Sequence, residues 1–178
     1  MIRITHPLRR RQAVKHFFDD VSHIGEFYKK MKKQDVSTSG LAYEIFGEFF
    51  LKRFEEILPV YTEGIQVAPE CNPGYDFYFT NENNKKGIIE CKWKSNLKYK
   101  FSVADLASFI AEKHDMNLPA PRTILFTNVM SSHPYTETAD SKLKKWLTVI
   151  DGKTQLSFIR YDRYFWTYLR ESMHDSCK

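Results

Sequence analysis

Between Gly87 and Trp93 the chain reads GIIECKW, an apolar run of strand-forming residues interrupted by two opposite charges two positions apart. Side chains of a strand alternate between faces, so Glu90 and Lys92 project to one side, shared farther along by Ile88, and Cys91 projects to the other. Charges in such a run cost stability unless they are paired, liganded or turned to solvent. Residues 75–80, YDFYFT, are equally rich in β-formers, and the polar NENNKKG that follows reads as a turn. The two segments are expected to pair as an antiparallel hairpin. Asp76, near the start of the first, then approaches Glu90, near the end of the second, and two carboxylates and one ammonium converge on one edge of a sheet.

The rest of the chain supplies the layers such a hairpin needs. Apolar residues at three- and four-residue steps (Val14, Phe17, Phe18, Val21, Ile24, Phe27) predict one helix from Leu8 to about Met31. A second helix is expected from about Leu41 to Leu58, capped by Ser or Thr of the linker 34–40 and closed by Pro59. A short strand around Gly64 to Ala68 and a turn at Asn72-Pro73-Gly74 lead into the hairpin. Beyond it come a helix over Ser102–His114, a buried strand over Arg122–Asn128, a helix over Thr138–Val149, a turn at Asp151-Gly152, a strand over Gln155–Arg160, and a terminal helix in YDRYFWTYLR. This order predicts an α/β fold, a mixed sheet with helices on both faces.

At 178 residues the chain has the length of one ordinary domain, able to bury a core without disulfides or a structural metal. Its three cysteines, Cys71, Cys91 and Cys177, form no CxxC pair and no zinc-finger spacing, which fits a reduced intracellular compartment. No apolar run has the length of a membrane span, and the first residues lack a signal-peptide core, so the chain is expected to be soluble and not secreted. There is no phosphate-binding glycine-rich loop with its lysine, and Ser131, Ser132 and His133 have no partner that suggests a hydrolase triad.

The formal charge of +5 is unevenly spread, residues 1–33 alone carrying +6. A second basic cluster runs from Lys85 to Lys100, with six lysines and only Glu90 as an acid. Beside Trp93 and Tyr99, lysines 85, 86, 94, 98 and 100, with Ser95, are candidates to follow the phosphate backbone of a nucleic acid. Thr127 and Asn128, at a strand end, are further candidates for a phosphate or base contact.

Two hard carboxylates and a lysine on one edge suit metal-dependent phosphodiester hydrolysis. The carboxylates hold Mg²⁺, with Mn²⁺ able to substitute, the Cys91 main-chain carbonyl is a further oxygen donor, and the Cys91 thiol has only a packing role.

In these residues the chain resembles the PD-(D/E)xK nuclease superfamily, and within it the Mrr-like restriction endonuclease branch. Gly74-Tyr75-Asp76 matches the metal-binding aspartate, with glycine and tyrosine where the name-giving proline would precede it, and residues 88–93, IIECKW, match the (D/E)xK strand. Residues 40–44, GLAYE, followed by Phe49-Phe50-Leu51, resemble the first helix, in which a glutamate often joins the metal. Ile124 to Asn128 resembles the next core strand, and Ala139 to Phe158 the following helix, Asp-Gly turn and strand. The resemblance covers about residues 38–160 and implies a restriction-endonuclease-like core within a nuclease domain expected at 38–178, preceded by a basic amphipathic helix at 1–37. It implies a Mg²⁺-dependent DNA endonuclease with Asp76 and Glu90 as ligands, Lys92 beside the attacking water, and Glu44 as accessory carboxylate. Glu48 lies four residues on, on the same helical face, so spacing does not choose between the two; the family pattern favours Glu44. A structure-selective nuclease domain of a larger helicase or mobile-element protein, and a non-catalytic nucleic-acid-binding module on the same fold, are the alternatives. A homodimer is also left open.

Overall fold

The hairpin forms and lies within a sheet that has five strands among the described residues. In the computed structural model, which describes residues 7–58, 64–69, 74–81 and 83–176, the strands β1 (Ile65–Val67), β2 (Phe77–Thr80), β3 (Lys86–Lys92), β4 (Thr123–Thr127) and β5 (Thr148–Ile150) lie side by side in chain order. β1–β2 and β2–β3 pair antiparallel, β3–β4 and β4–β5 parallel. Asn81 builds the β2–β3 turn by accepting from the N–H groups of Asn83 and Lys85, and Asn84 takes the left-handed conformation (φ 57°) that asparagine tolerates. Gly87 faces Phe79 across the hairpin, where a Cβ would lie 2.2 Å from the ring.

Among the described residues, seven α-helices surround the sheet: α1 (Pro7–Ala13), α2 (Ile24–Met31), α3 (Val36–Arg53), α4 (Ala107–Asp115), α5 (Glu137–Trp146), α6 (Gly152–Ile159) and α7 (Phe165–Asp175). Parallel strands need crossovers, and α4 and α5 lie in those between β3 and β4 and between β4 and β5. Strand alternation then divides the core in two. Phe77, Phe79, Ile89, Cys91, Ile124 and Phe126 pack with Phe27 of α2, Phe46 and Phe50 of α3, and Phe165 and Leu169 of α7. Ile88 and Leu125 pack on the other face with Phe101, Phe109 and Leu143. The protein is therefore an α/β fold with a mixed sheet covered on both faces. No helix among the described residues is long and apolar enough to cross a membrane.

Three expected elements differ. The single helix over Leu8–Met31 is two helices joined by tight turns, with i to i+3 bonds such as Phe17 N–H to Val14 O and Val21 N–H to Phe18 O. The break lies at Ser22-His23: the His23 ring accepts from the N–H groups of Gly25 and Glu26, and Ser22 donates to the Glu26 carboxylate, which caps α2. The apolar residues named for this segment still reach the core, from Val14 to Met31.

Helix α3 starts at Val36 rather than Leu41, because Asp35, not the linker serines or threonine, is its cap, its carboxylate accepting from Thr38 N–H at 2.9 Å. It ends at Arg53 and is followed by a short 3-10 turn over Glu55–Ile57.

The strand expected over Gln155–Arg160 is helix α6, and the strand precedes it, in residues read as the end of a helix. Asp151 does not make the expected turn into a strand; it caps α6, accepting from Thr154 N–H at 2.8 Å. Gly152 lies so close to β4's end that a Cβ would sit 2.4 Å from Asn128 O. Pro59, the Asn72-Pro73 turn, Cys71 and Cys177 lie outside the described residues.

Candidate active site

Asp76 immediately precedes β2 and is buried. Its N–H donates to Ile89 O at 2.9 Å, and its carboxylate Oδ2 accepts from the N–H of Cys91 at 2.7 Å. A carboxylate thus takes the position that a main-chain carbonyl would hold at the end of the β2–β3 ladder, and it is fixed against the peptide between Glu90 and Lys92. Those two side chains meet on one face, Lys92 Nζ lying 2.5 Å from Glu90 Oε1. The structure therefore brings together Asp76, Glu90, Lys92 and the Cys91 main chain, the four groups the sequence placed on one sheet edge.

The edge is the C-terminal end of the parallel strands, where α/β sheets generally carry their sites. It is braced from β4. Thr127 Oγ1 donates to Lys92 O at 2.8 Å, and the Asn128 side chain brackets Lys94, accepting from its N–H at 2.8 Å and donating to its carbonyl at 2.7 Å. Thr127 and Asn128 are fully buried, so they hold the main chain of the site rather than offering contacts to phosphate or base. Behind them the buried Gln155 amide donates to Thr127 O at 2.8 Å and pairs with the Tyr43 hydroxyl.

Burial pushes the Lys92 ammonium down, but the charge and hydrogen bond of Glu90, with Asp76 behind it, outweigh this and hold its pKa above the ordinary lysine value. Lys92 is thus protonated throughout the neutral range: it supplies charge and hydrogen bonds and does not accept a proton. A folded pKa above the unfolded one means that this stabilisation is complete below the unfolded lysine value and is lost as pH rises through the folded one. Glu90→Gln removes the leading raising influence and leaves the burial, so the Lys92 pKa is expected to fall; titration of its side-chain NMR signal reads the change, and an unchanged pKa would show that Glu90 does not govern it. On the opposite face, burial first and then the charges of Asp76 and Glu90 push the Cys91 thiol well above its ordinary range. It is a neutral packing group, with no sulfur ligand to offer.

Glu44 is placed elsewhere. Its helix, α3, covers the Cys91 face, where a Cβ on Gly47 would lie 3.0 Å from Cys91 Sγ. Glu44 is ion-paired with Arg10 of α1, and the buried Glu48 with Arg11 at 2.5 Å and Lys52 at 2.6 Å. Among the described residues, no three His, Cys, Asp or Glu side chains form a metal-binding group.

The basic cluster also divides. Lys85 and Lys86 stand at the turn end of β3, and Lys94, Ser95, Lys98 and Lys100 beyond its other end, roughly 20 Å away by the rise of an extended strand. Lys86 donates to the Tyr75 hydroxyl at 2.9 Å and lies over the Tyr78 ring, while Lys94 lies 4.0 Å over the Tyr99 ring. Lys85, Ser95, Lys98 and Lys100 are exposed, Lys100 reaching His133 O. Only the second group adjoins Lys92.

Pattern reading missed Arg10, Tyr43 and Gln155, whose partners are all distant in sequence. Comparison with protein-family models, with curated proteins and with solved structures finds no match to this chain.

Proposed function

We propose that the chain is a Mg²⁺-dependent endodeoxyribonuclease with a restriction-endonuclease-like core, hydrolysing phosphodiester bonds through Asp76, Glu90 and Lys92. The observation that carries this reading is the Asp76 carboxylate bound to the Cys91 N–H, beside the Glu90–Lys92 pair, at the C-terminal edge of the sheet. The donor set fits the metal: carboxylate and carbonyl oxygens suit Mg²⁺ or Mn²⁺, and the nearby sulfur is protonated and on the other face. When bound, the ion would acidify a water and offset charge developing on the phosphate.

The chain's own residues do the rest. Asp76, immediately before β2, and Glu90, on the adjacent β3, would hold the ion. Lys92, charged at neutral pH, donates to the attacking water or to a phosphate oxygen and stabilises the negative charge that grows there. Thr127 and Asn128 keep the intervening main chain in register. Lys94, Lys98 and Lys100 extend the cationic surface for the DNA strand leaving the site, and the Ser95 hydroxyl can hydrogen-bond a phosphate there.

The absence of a third clustered carboxylate among the described residues favours a second reading, a non-catalytic DNA-binding module on the same fold. Metal binding separates the two. Calorimetric titration with Mn²⁺ is expected to show binding to the wild-type chain, a rise in its melting temperature, and loss of both in Glu90→Gln. A wild-type chain that binds no Mn²⁺, with or without DNA, rejects the nuclease reading.

A further inference from the structure

Aromatic side chains fill both halves of the core, and among the described residues those left exposed are Tyr161 and Tyr164, at 81% and 57%. Both lie in the short loop between α6 and α7. A guanidinium accompanies each ring: Arg160 lies 5.7 Å from the centre of Tyr161, and Arg163 4.7 Å from that of Tyr164, whose hydroxyl also accepts from Arg163 at 2.6 Å. Asp162, between the two pairs, fixes the loop. Its carboxylate accepts from Arg53 Nε of α3 at 2.7 Å and from the Tyr164 N–H at 3.0 Å, while Ile159 on one side and Phe165 and Trp166 on the other are buried. Arg53 thereby neutralises the one acid of residues 160–164, and the exposed Arg160 and Arg163 leave the loop cationic. Helix α6, which leads into it, has no acidic residue. Lys153, Ser157 and Arg160, spaced four and three apart along one helical face, are all exposed.

We propose that the loop 160–164 binds single-stranded nucleic acid, with bases stacked on Tyr161 and Tyr164 and phosphates held by Arg160 and Arg163. Outward-facing rings beside guanidinium groups are the combination on which unpaired bases stack while the backbone is neutralised. A duplex keeps its bases inside and offers such rings nothing to stack on. Because Asp162 and the buried residues on either side already hold the loop, little ordering opposes binding. Lys153 and Ser157 continue the surface along α6 for the neighbouring phosphates. This contact goes beyond the nuclease reading and does not depend on it: it uses neither the metal nor Asp76, Glu90 and Lys92.

The test measures binding of short labelled thymidine and uridine tracts, and of a hairpin duplex, to the full chain by fluorescence anisotropy in EDTA, where no metal contributes. Tyr161→Ala and Tyr164→Ala are each expected to weaken single-strand binding about tenfold, the loss typical of one base–aromatic stack, and to leave duplex binding unchanged. Arg163→Gln is expected to flatten the dependence of single-strand binding on salt. Val36→Ala, which trims another exposed apolar side chain at the start of α3, serves as the control and is expected to change nothing. A tract carrying iodouracil is expected to cross-link to residues 161–164, which separates this surface from the lysines beside Lys92. The tract that binds more tightly identifies the strand as DNA or RNA. Binding of neither tract, full affinity in the Tyr161→Ala/Tyr164→Ala double variant, or a loss of duplex affinity as large as that for the single strand overturns the proposal and leaves the nuclease reading intact.

Discussion

Asp76→Asn is expected to lower DNA cleavage by on the order of 10²–10³-fold, the loss typical of removing one preorganised electrostatic group from a site, while leaving the fold as stable as the wild type. The substitution keeps an oxygen that can accept the Cys91 N–H, now held at 2.7 Å, and removes only the charge. Asp76→Ala removes both. It leaves a main-chain donor without its acceptor at the end of the hairpin ladder, and is expected to cost a further 1–3 kcal/mol or about that in stability. Cleavage assays beside urea unfolding therefore separate the chemical from the structural role. Near-wild-type cleavage by Asp76→Asn would remove Asp76 from the chemistry, and equal stability of the two variants would remove the Cys91 hydrogen bond from the energetics.

Gly152→Ala is expected to be strongly destabilising. The Cβ would fall 2.4 Å from Asn128 O, 3.0 Å from Asn128 C and 2.9 Å from Met130 Sδ. Two of the three atoms are backbone and cannot rotate away, and the Gly152 N–H is itself bonded to Val129 O at 2.9 Å. Relief requires β4's end to shift from α6, which would drag Asn128 and, through it, the main chain of Lys94. Overpacking of this kind costs about 1–3 kcal/mol, and a backbone clash belongs at the upper end. The urea midpoint should fall with little change in slope. Gly40→Ala is the contrast: that glycine lies inside α3 with nothing within 4 Å of the added carbon, so the change is expected to stabilise by about 0.5–1 kcal/mol. If Gly152→Ala unfolds at the wild-type midpoint, the close approach of α6 to β4 is not as described.

These two residues mark where the sequence was legible and where it was not. The hairpin carrying Asp76, Glu90 and Lys92 was readable because strand alternation, β-forming side chains and an asparagine-rich turn all point the same way. Asp151-Gly152 was misread because the same pair serves two purposes. It can make a turn from a helix into a strand, but here aspartate caps a helix and glycine permits a close approach to Asn128. The burial of Gln155 and Ile159, four residues apart, is the helical signal that QLSFIR conceals among its β-formers. In the N-terminal segment the apolar spacing ran unbroken through Ser22-His23, although Glu26 four residues beyond Ser22 completes a cap there.

The site's surroundings were less readable for a geometric reason. Arg10 and Glu44 are brought together by packing of α1 on α3, and no local pattern encodes a pair 34 residues apart. Lysines adjacent in sequence were read as one surface, yet an extended β3 carries Lys86 and Lys94 to opposite ends of the sheet.

The measurement that bears most directly on the nuclease reading is cleavage of supercoiled plasmid, single-stranded and branched DNA, in Mg²⁺, Mn²⁺ or EDTA, by the wild-type chain and Lys92→Ala. Product that forms only with metal, and is lost in the variant, is the expected result, and the preferred DNA form then defines the substrate. DNA binding without product under every metal condition, or equal product from Lys92→Ala, would contradict it.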